Sequence, residues 1–134
     1  MGAPVQNFID PQIQADSRGR LTIVEFKNLP WVPQRAYFLS HSDPKSSRGS
    51  HAHKELHQYF ISLRGQWTLR LFDGTEWTEI EIIEGGAGLL IEPGLWREIS
   101  TDAEDAVLGV FASQPYFESD YIRDIDEFIE WKAS

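Results

Sequence analysis

The 134-residue sequence contains no cysteine. That excludes disulfides, thiolate metal sites and a cysteine nucleophile, and it suits a reducing compartment. No apolar run approaches the length of a bilayer span, and the N-terminus has no basic stretch followed by an apolar one. A soluble cytoplasmic protein, with no membrane partner, is therefore expected. Basic residues are scarce in the second half: residues 73–134 hold three Lys/Arg against sixteen Asp/Glu, whereas residues 1–72 hold nine against five. The net charge of −9 argues against nucleic acid as a partner. The basic first half can nonetheless hold a small anion. Repeats, low-complexity tracts and linkers are also missing, which leaves one domain over residues 1–134.

What is present is β-rich. "LTIVEF" (21–26), "RAYFLS" (35–40), "HQYFISL" (57–63), "QWTLRLF" (66–72), "EWTEIEII" (76–83), "AGLLI" (87–91) and "AVLGVFAS" (106–113) are rich in β-branched and aromatic residues. Arg64-Gly65, Asp73-Gly74, Glu84-Gly85-Gly86 and Glu92-Pro93-Gly94 separate them, with the backbone freedom that tight hairpins need. This spacing predicts an all-β antiparallel sandwich or barrel. "DSRGR" (16–20) and "HSDPKSSRGS" (41–50) read as loops. Ile122, Ile125 and Ile129 recur at helical spacing, so a C-terminal helix over 119–132 is expected, with Ser119 as N-cap.

The chemistry concentrates in "RGSHAHKELHQ" (48–58). In a strand, residues i and i+2 share a face, so His51 and His53 project together. Such a pair can ligate a metal, can act as base and helper near neutral pH, or can be an edge pair exposed to water. His57 is read as a surface strand residue.

Context narrows this. Four residues separate "HAH" from Gln58, and six separate Gln58 from Gly65. The pattern is similar to the first motif of the cupin superfamily, H-x-H followed by a Glu and a Gly. "EPGLWREI" (92–99) looks like the second. Gln58 stands where the ligand Glu would be, and Arg97 near where the third His would be. A neutral amide is a poor ligand for a hard cation, and a guanidinium repels one. A cupin barrel (a double-stranded β-helix or jelly roll) without a metal is expected. "DSRG" (16–19), "LPW" (29–31), "RAY" (35–37), "RGSHAHKELHQ" (48–58), "DG" (73–74), "PGLW" (93–96) and "SDYIRD" (119–124) then follow in an order that resembles the sugar-nucleotide 3,4-ketoisomerases, also described as WxcM-like proteins.

That resemblance implies an isomerase. Such enzymes move the keto group of dTDP-4-keto-6-deoxy-D-glucose from C4 to C3, ahead of an aminotransferase, without metal or other cofactor, as homodimers with strand exchange. It implies His51 as base, His53 as its partner and Tyr37 as a donor to the oxyanion. Arg18, Arg35, Arg48, Lys54 and Arg97 are the candidate substrate anchors. Trp31, Tyr59 and Trp96 are candidate walls for sugar or base. A metal-dependent cupin enzyme, a sugar 3,5-epimerase and a nucleotide-sugar-binding cupin without turnover are the alternatives.

Overall fold

The computed structural model describes residues 7–40 and 47–134. Twelve strands and one helix follow in order: β1 (Asn7–Ile9), β2 (Gln12–Asp16), β3 (Gly19–Ile23), β4 (Arg35–Ser40), β5 (Arg48–His53), β6 (Gln58–Arg64), β7 (Gln66–Phe72), β8 (Trp77–Ile83), β9 (Gly88–Ile91), β10 (Trp96–Thr101), β11 (Val107–Ala112), β12 (Tyr121–Ile122) and α1 (Ile125–Ala133). Two five-stranded antiparallel sheets form, in the orders β1-β9-β6-β11-β4 and β12-β5-β10-β7-β8. Strands adjacent in space are often distant in sequence, as in a jelly roll of the cupin kind. The β2–β3 hairpin pairs with neither sheet.

The two inner faces share one core. Phe60, Leu89, Ile91, Leu108 and Val110 from the first sheet meet Leu69, Leu71, Ile80, Ile82 and Ile99 from the second. Both outer faces are also partly covered. Leu29, Tyr59 and Ile61 pack with Ile9, Val24 and Trp31 outside the first sheet. Phe128 of α1 packs on Ala52, Phe72, Trp96 and Ile122 outside the second. Strand β6 is thus apolar on both faces, and "YFI" reads as a continuous run instead of an alternation. In β4 only one face is covered: Arg35, Tyr37 and Leu39 turn inward, while Ala36, Phe38 and Ser40 are exposed.

Several expectations are corrected. "DSRGR" is a hairpin rather than a loop, with Ser17 and Arg18 at its tip between β2 and β3. Of residues 41–50, 41–46 lie outside the described residues, and Arg48, Gly49 and Ser50 belong to β5. The run 21–26 strands only to Ile23, and Phe26–Asn28 forms a 3₁₀ turn. The helix starts at Ile125, six residues after Ser119, with Asp124 as N-cap accepting from the Asp126 N–H. Before it, Glu118–Asp120 is a 3₁₀ turn and Tyr121–Ile122 a strand paired with His53 and Ala52 of β5. Tertiary pairing overrides helical spacing there, because Tyr121 and Ile122 satisfy both backbone and packing on the sheet edge.

Candidate active site

A cleft of about 360 Å³ opens between the two sheets, in the usual range for small-molecule sites. Arg35, Tyr37 and Leu39 of β4 and Gln58 and Phe60 of β6 form one wall. Residues 48–51 of β5, Arg97 and Ile99 of β10, Tyr121 and Arg123 form the other. Alternation accounts for the first wall. The second contains a bulge: Arg97 pairs with His51, but Ile99 pairs with Arg48, so β5 carries one residue more than β10 across the same span. Gly49 absorbs it at φ 68°, where a Cβ would meet the Ile99 side chain at 3.0 Å. The bulge lets Arg48, Gly49 and Ser50 all border the cleft, which regular alternation would forbid.

His51 and His53 share a face, as i and i+2 must. Their Nε2 atoms lie 3.1 Å apart, with the rings nearly perpendicular. Only His51 borders the cleft; His53 sits behind it with no exposed surface. The register sets Tyr121 opposite His53, and the tyrosine ring packs on both imidazoles. The Nδ1 atom of His53 lies 2.9 Å from Asp120 Oδ2. Burial, reinforced by the Arg97 cation, pushes His51 down to about 2 and His53 to about 3. Both rings are therefore neutral at neutral pH.

A second hydrogen-bonded chain ends on the facing wall. Arg97 is 1% exposed and donates through Nη1 to Gln58 Oε1, and through Nε and Nη2 to the Leu95 carbonyl. Burial lowers its guanidinium to about 10, so it still carries its charge at neutral pH. Gln58 Nε2 then donates to the Tyr37 hydroxyl at 2.9 Å. The amide orientation is forced, because a guanidinium can only donate and must meet the oxygen. The Tyr37 oxygen accepts from within the protein, which frees its own proton for the cleft. Burial, the largest influence, raises the Tyr37 pKa, so the phenol keeps that proton.

Gln58 and Arg97 occupy the two positions where a metal-binding cupin would offer ligands. They bond to each other, and the space beside His51 holds a permanent cation. Of the other candidate anchors, Arg35 and Arg48 border the cleft. The Arg35 guanidinium lies over the Tyr37 ring, and its buried Nε meets no hydrogen-bond partner among the described residues. Lys54 is corrected out of this cleft: one residue beyond His53, it turns to the opposite face and borders other hollows, with Glu55 and Trp131. Arg18 also lies away from it, at the tip of the hairpin and paired with Asp16 at 2.6 Å. Tyr59, Trp31 and Trp96 are packing residues: Tyr59 is buried with its hydroxyl on the Ile9 carbonyl, and Trp96 rests against Phe128. His57 is half-buried beside Trp31, its N–H on Ser113 Oγ.

Asp120, Tyr121 and Arg123 join the site from "SDYIRD", a segment that carries the family resemblance and whose isoleucine spacing predicts a helix. Arg123 donates to Glu118 and lies over the Tyr121 ring at 4.2 Å.

Comparison with known proteins identifies the family. The family described as WxcM-like, C-terminal (FdtA) matches residues 5–133. The TDP-4-oxo-6-deoxy-alpha-D-glucose-3,4-oxoisomerase of Aneurinibacillus thermoaerophilus is 38% identical over 119 residues, covering 88% of this chain and 86% of that protein. The crystal structure of a 3,4-ketoisomerase from Helicobacter canadensis superposes with a TM-score of 0.89 at 35% identity, covering 96% of this chain and 98% of the other. A variant of the 3,4-ketoisomerase QdtA from Thermoanaerobacterium thermosaccharolyticum, solved in complex with TDP-4-keto-6-deoxyglucose, gives a TM-score of 0.89 at 38% identity, covering 95% and 93%. Matched over nearly its whole length and sharing more than a third of its residues with these proteins, the chain belongs to the WxcM-like FdtA family of cupin-fold proteins.

Proposed function

We propose that this protein is a sugar-nucleotide 3,4-ketoisomerase that moves the keto group of dTDP-4-keto-6-deoxy-D-glucose from C4 to C3. The observation that carries the reading is one cleft faced by a neutral imidazole, His51, and a phenol with a free proton, Tyr37. The relatives' names agree on the reaction class and the substrate.

The chemistry is a proton rearrangement. The C4 carbonyl acidifies the hydrogen on C3. His51 takes that proton while Tyr37 donates to O4, and an enediol forms across C3 and C4. The O3 proton then passes to the Tyr37 phenolate as the C3 ketone forms, and protonated His51, in exchange with solvent, delivers a proton to C4, which completes the product and restores both residues. No electrons enter or leave. Placement of a base of this kind contributes roughly 10²–10⁴-fold, and an aimed oxyanion donor a similar share. His53 serves through His51, since it has no surface on the cleft. Arg35 and Arg48 are suited to the diphosphate, as planar forks for phosphate oxygens. Arg35 Nε, buried with its donor unspent, supports that role. The buried Arg97 supports Tyr37 instead of reaching for phosphate.

A homodimer built by exchange of the β2–β3 hairpin fits this reading. Among the described residues the hairpin pairs with neither sheet and β4 is an edge strand, and Phe38 and Val32 are 57% and 72% exposed. Exchange would carry Arg18 to a neighbouring cleft. Light scattering at micromolar concentration is expected to give the mass of two chains; a single-chain mass would remove this part of the proposal.

The reaction is tested by incubating the protein with dTDP-4-keto-6-deoxyglucose and a chelator in D₂O, followed by NMR. A 3-keto product bearing deuterium at C4 is expected. Deuterium at C3 and C5 with the ketone still at C4 would favour the epimerase, and binding without exchange the non-catalytic reading.

A further inference from the structure

We infer that Asp120 is a positioning residue that sets the order of protons in the His53–His51 pair, leaving His51 Nδ1 as the basic nitrogen of the site. The inference rests on the proposed reaction for its kinetic consequence, though not for its chemical content.

Asp120 is held by three bonds of its own. Its carbonyl accepts from the Lys54 N–H at 3.0 Å, its N–H donates to the Phe117 carbonyl at 3.0 Å, and its Oδ1 accepts from the Glu55 N–H at 2.7 Å. Only Oδ2 is left, and it faces His53 Nδ1 at 2.9 Å. The side chain is 11% exposed and borders a hollow on the far side of β5 from the cleft. Asp120 therefore cannot touch a substrate in the cleft.

An ionised carboxylate only accepts. His53 must then carry its proton on Nδ1, and its Nε2 presents a lone pair. That lone pair faces His51 Nε2 at 3.1 Å. Two lone pairs cannot share that distance, so His51 carries its proton on Nε2 and keeps Nδ1 unprotonated. When His51 takes a proton from substrate, the charge is spread toward His53 and met by the carboxylate.

Asp120→Asn tests this with little change of shape. The amide oxygen can still accept from Glu55, while the amide nitrogen now donates toward His53. The His53 ring would shift its proton to Nε2, and His51 would be left basic at Nε2, facing its neighbour. Expected is a kcat loss of ~10²–10⁴-fold, by analogy with other carboxylate–histidine pairs, with KM within about twofold. The independent readout is ¹⁵N NMR of histidine-labelled protein, which reports the protonated ring nitrogen directly. Wild-type protein is expected to show His53 protonated at Nδ1 and the variant at Nε2.

A wild-type His53 protonated at Nε2 overturns the inference, even if the variant fails to fold. So does a kcat loss with the His53 tautomer unchanged, which would mark Asp120 as merely structural, or a tautomer switch with kcat within about threefold. If the wild-type enzyme moves no ketone, the proposed reaction fails, and the ring measurement still decides the proton order.

Discussion

Two hydrogen-bonded chains of the same design and opposite sign end on the two walls of the cleft. In one a carboxylate, Asp120, bonds a buried imidazole, His53, which meets the imidazole on the cleft, His51. In the other a guanidinium, Arg97, reaches across from the His51 sheet to a buried amide, Gln58, which meets the phenol on the facing wall, Tyr37. A chain that ends in an anion can only accept at its root, so it favours uptake of a proton at its tip. A chain that ends in a cation can only donate at its root, so it favours release. Opposite work at the two tips follows from the charge at the two roots, and a proton rearrangement needs both.

The contrast is broken most severely at the tip of the anionic chain. His51→Asn is expected to lower kcat by ~10²–10⁴-fold while dTDP still binds, as measured by turnover and calorimetry. Near-normal turnover would remove His51 as base. Next comes inversion of the cationic chain. Gln58→Glu keeps a partner for Arg97 but offers Tyr37 an acceptor, so the phenolic proton turns away from the cleft. A kcat loss of ~10²–10³-fold is expected, with KM little changed. Tyr37→Phe should fall in the same range, and the Gln58→Glu, Tyr37→Phe double variant should be no worse than either alone, because both remove the same proton. Arg48 belongs to neither chain. Arg48→Ala is expected to raise KM about tenfold at unchanged kcat, the loss of one charge-assisted contact.

Acid also distinguishes the chains, through stability instead of turnover. His51 and His53 are held neutral by burial, down to about 2 and 3, whereas an unfolded histidine titrates near 6.5. The unfolded chain thus binds protons first. This contribution to stability is complete above about pH 6.5 and is lost as the pH falls toward 3. Each imidazole steepens the loss by up to ~1.4 kcal/mol per pH unit. Urea melts across that range should show a shallower slope for His53→Gln than for wild type. The guanidinium and phenol of the other chain do not titrate there.

Period and punctuation made much of this legible in advance. Seven of the strands stand out as β-type runs between turn signals, and the i, i+2 rule puts both histidines on one face. Gln58 and Arg97 could be seen to spoil a metal site, but not to join hands, since that contact spans 39 residues of chain. Strand β10 escaped notice because "WREIST" buries an arginine among its apolar residues, which no hydropathy pattern suggests. Lys54 adjoins the site in sequence, but the strand ends at His53 and the lysine borders other hollows. Asp120 was hidden most completely. It lies 67 residues from His53, in a segment whose isoleucine spacing argued for a helix. The pairing of Tyr121 with His53, with the bonds from Lys54 and Glu55, brings the carboxylate to the ring.

That pairing rests on two residues at a sheet edge. The interlocked barrel and the docking of this short strand need not come apart at the same free energy, since edges open more readily than cores. Loosening β12 would withdraw both Asp120 and the Tyr121 ring while leaving the barrel folded. Catalytic competence then depends on a two-residue edge strand, and mild denaturant is expected to silence the enzyme before spectroscopy sees it unfold.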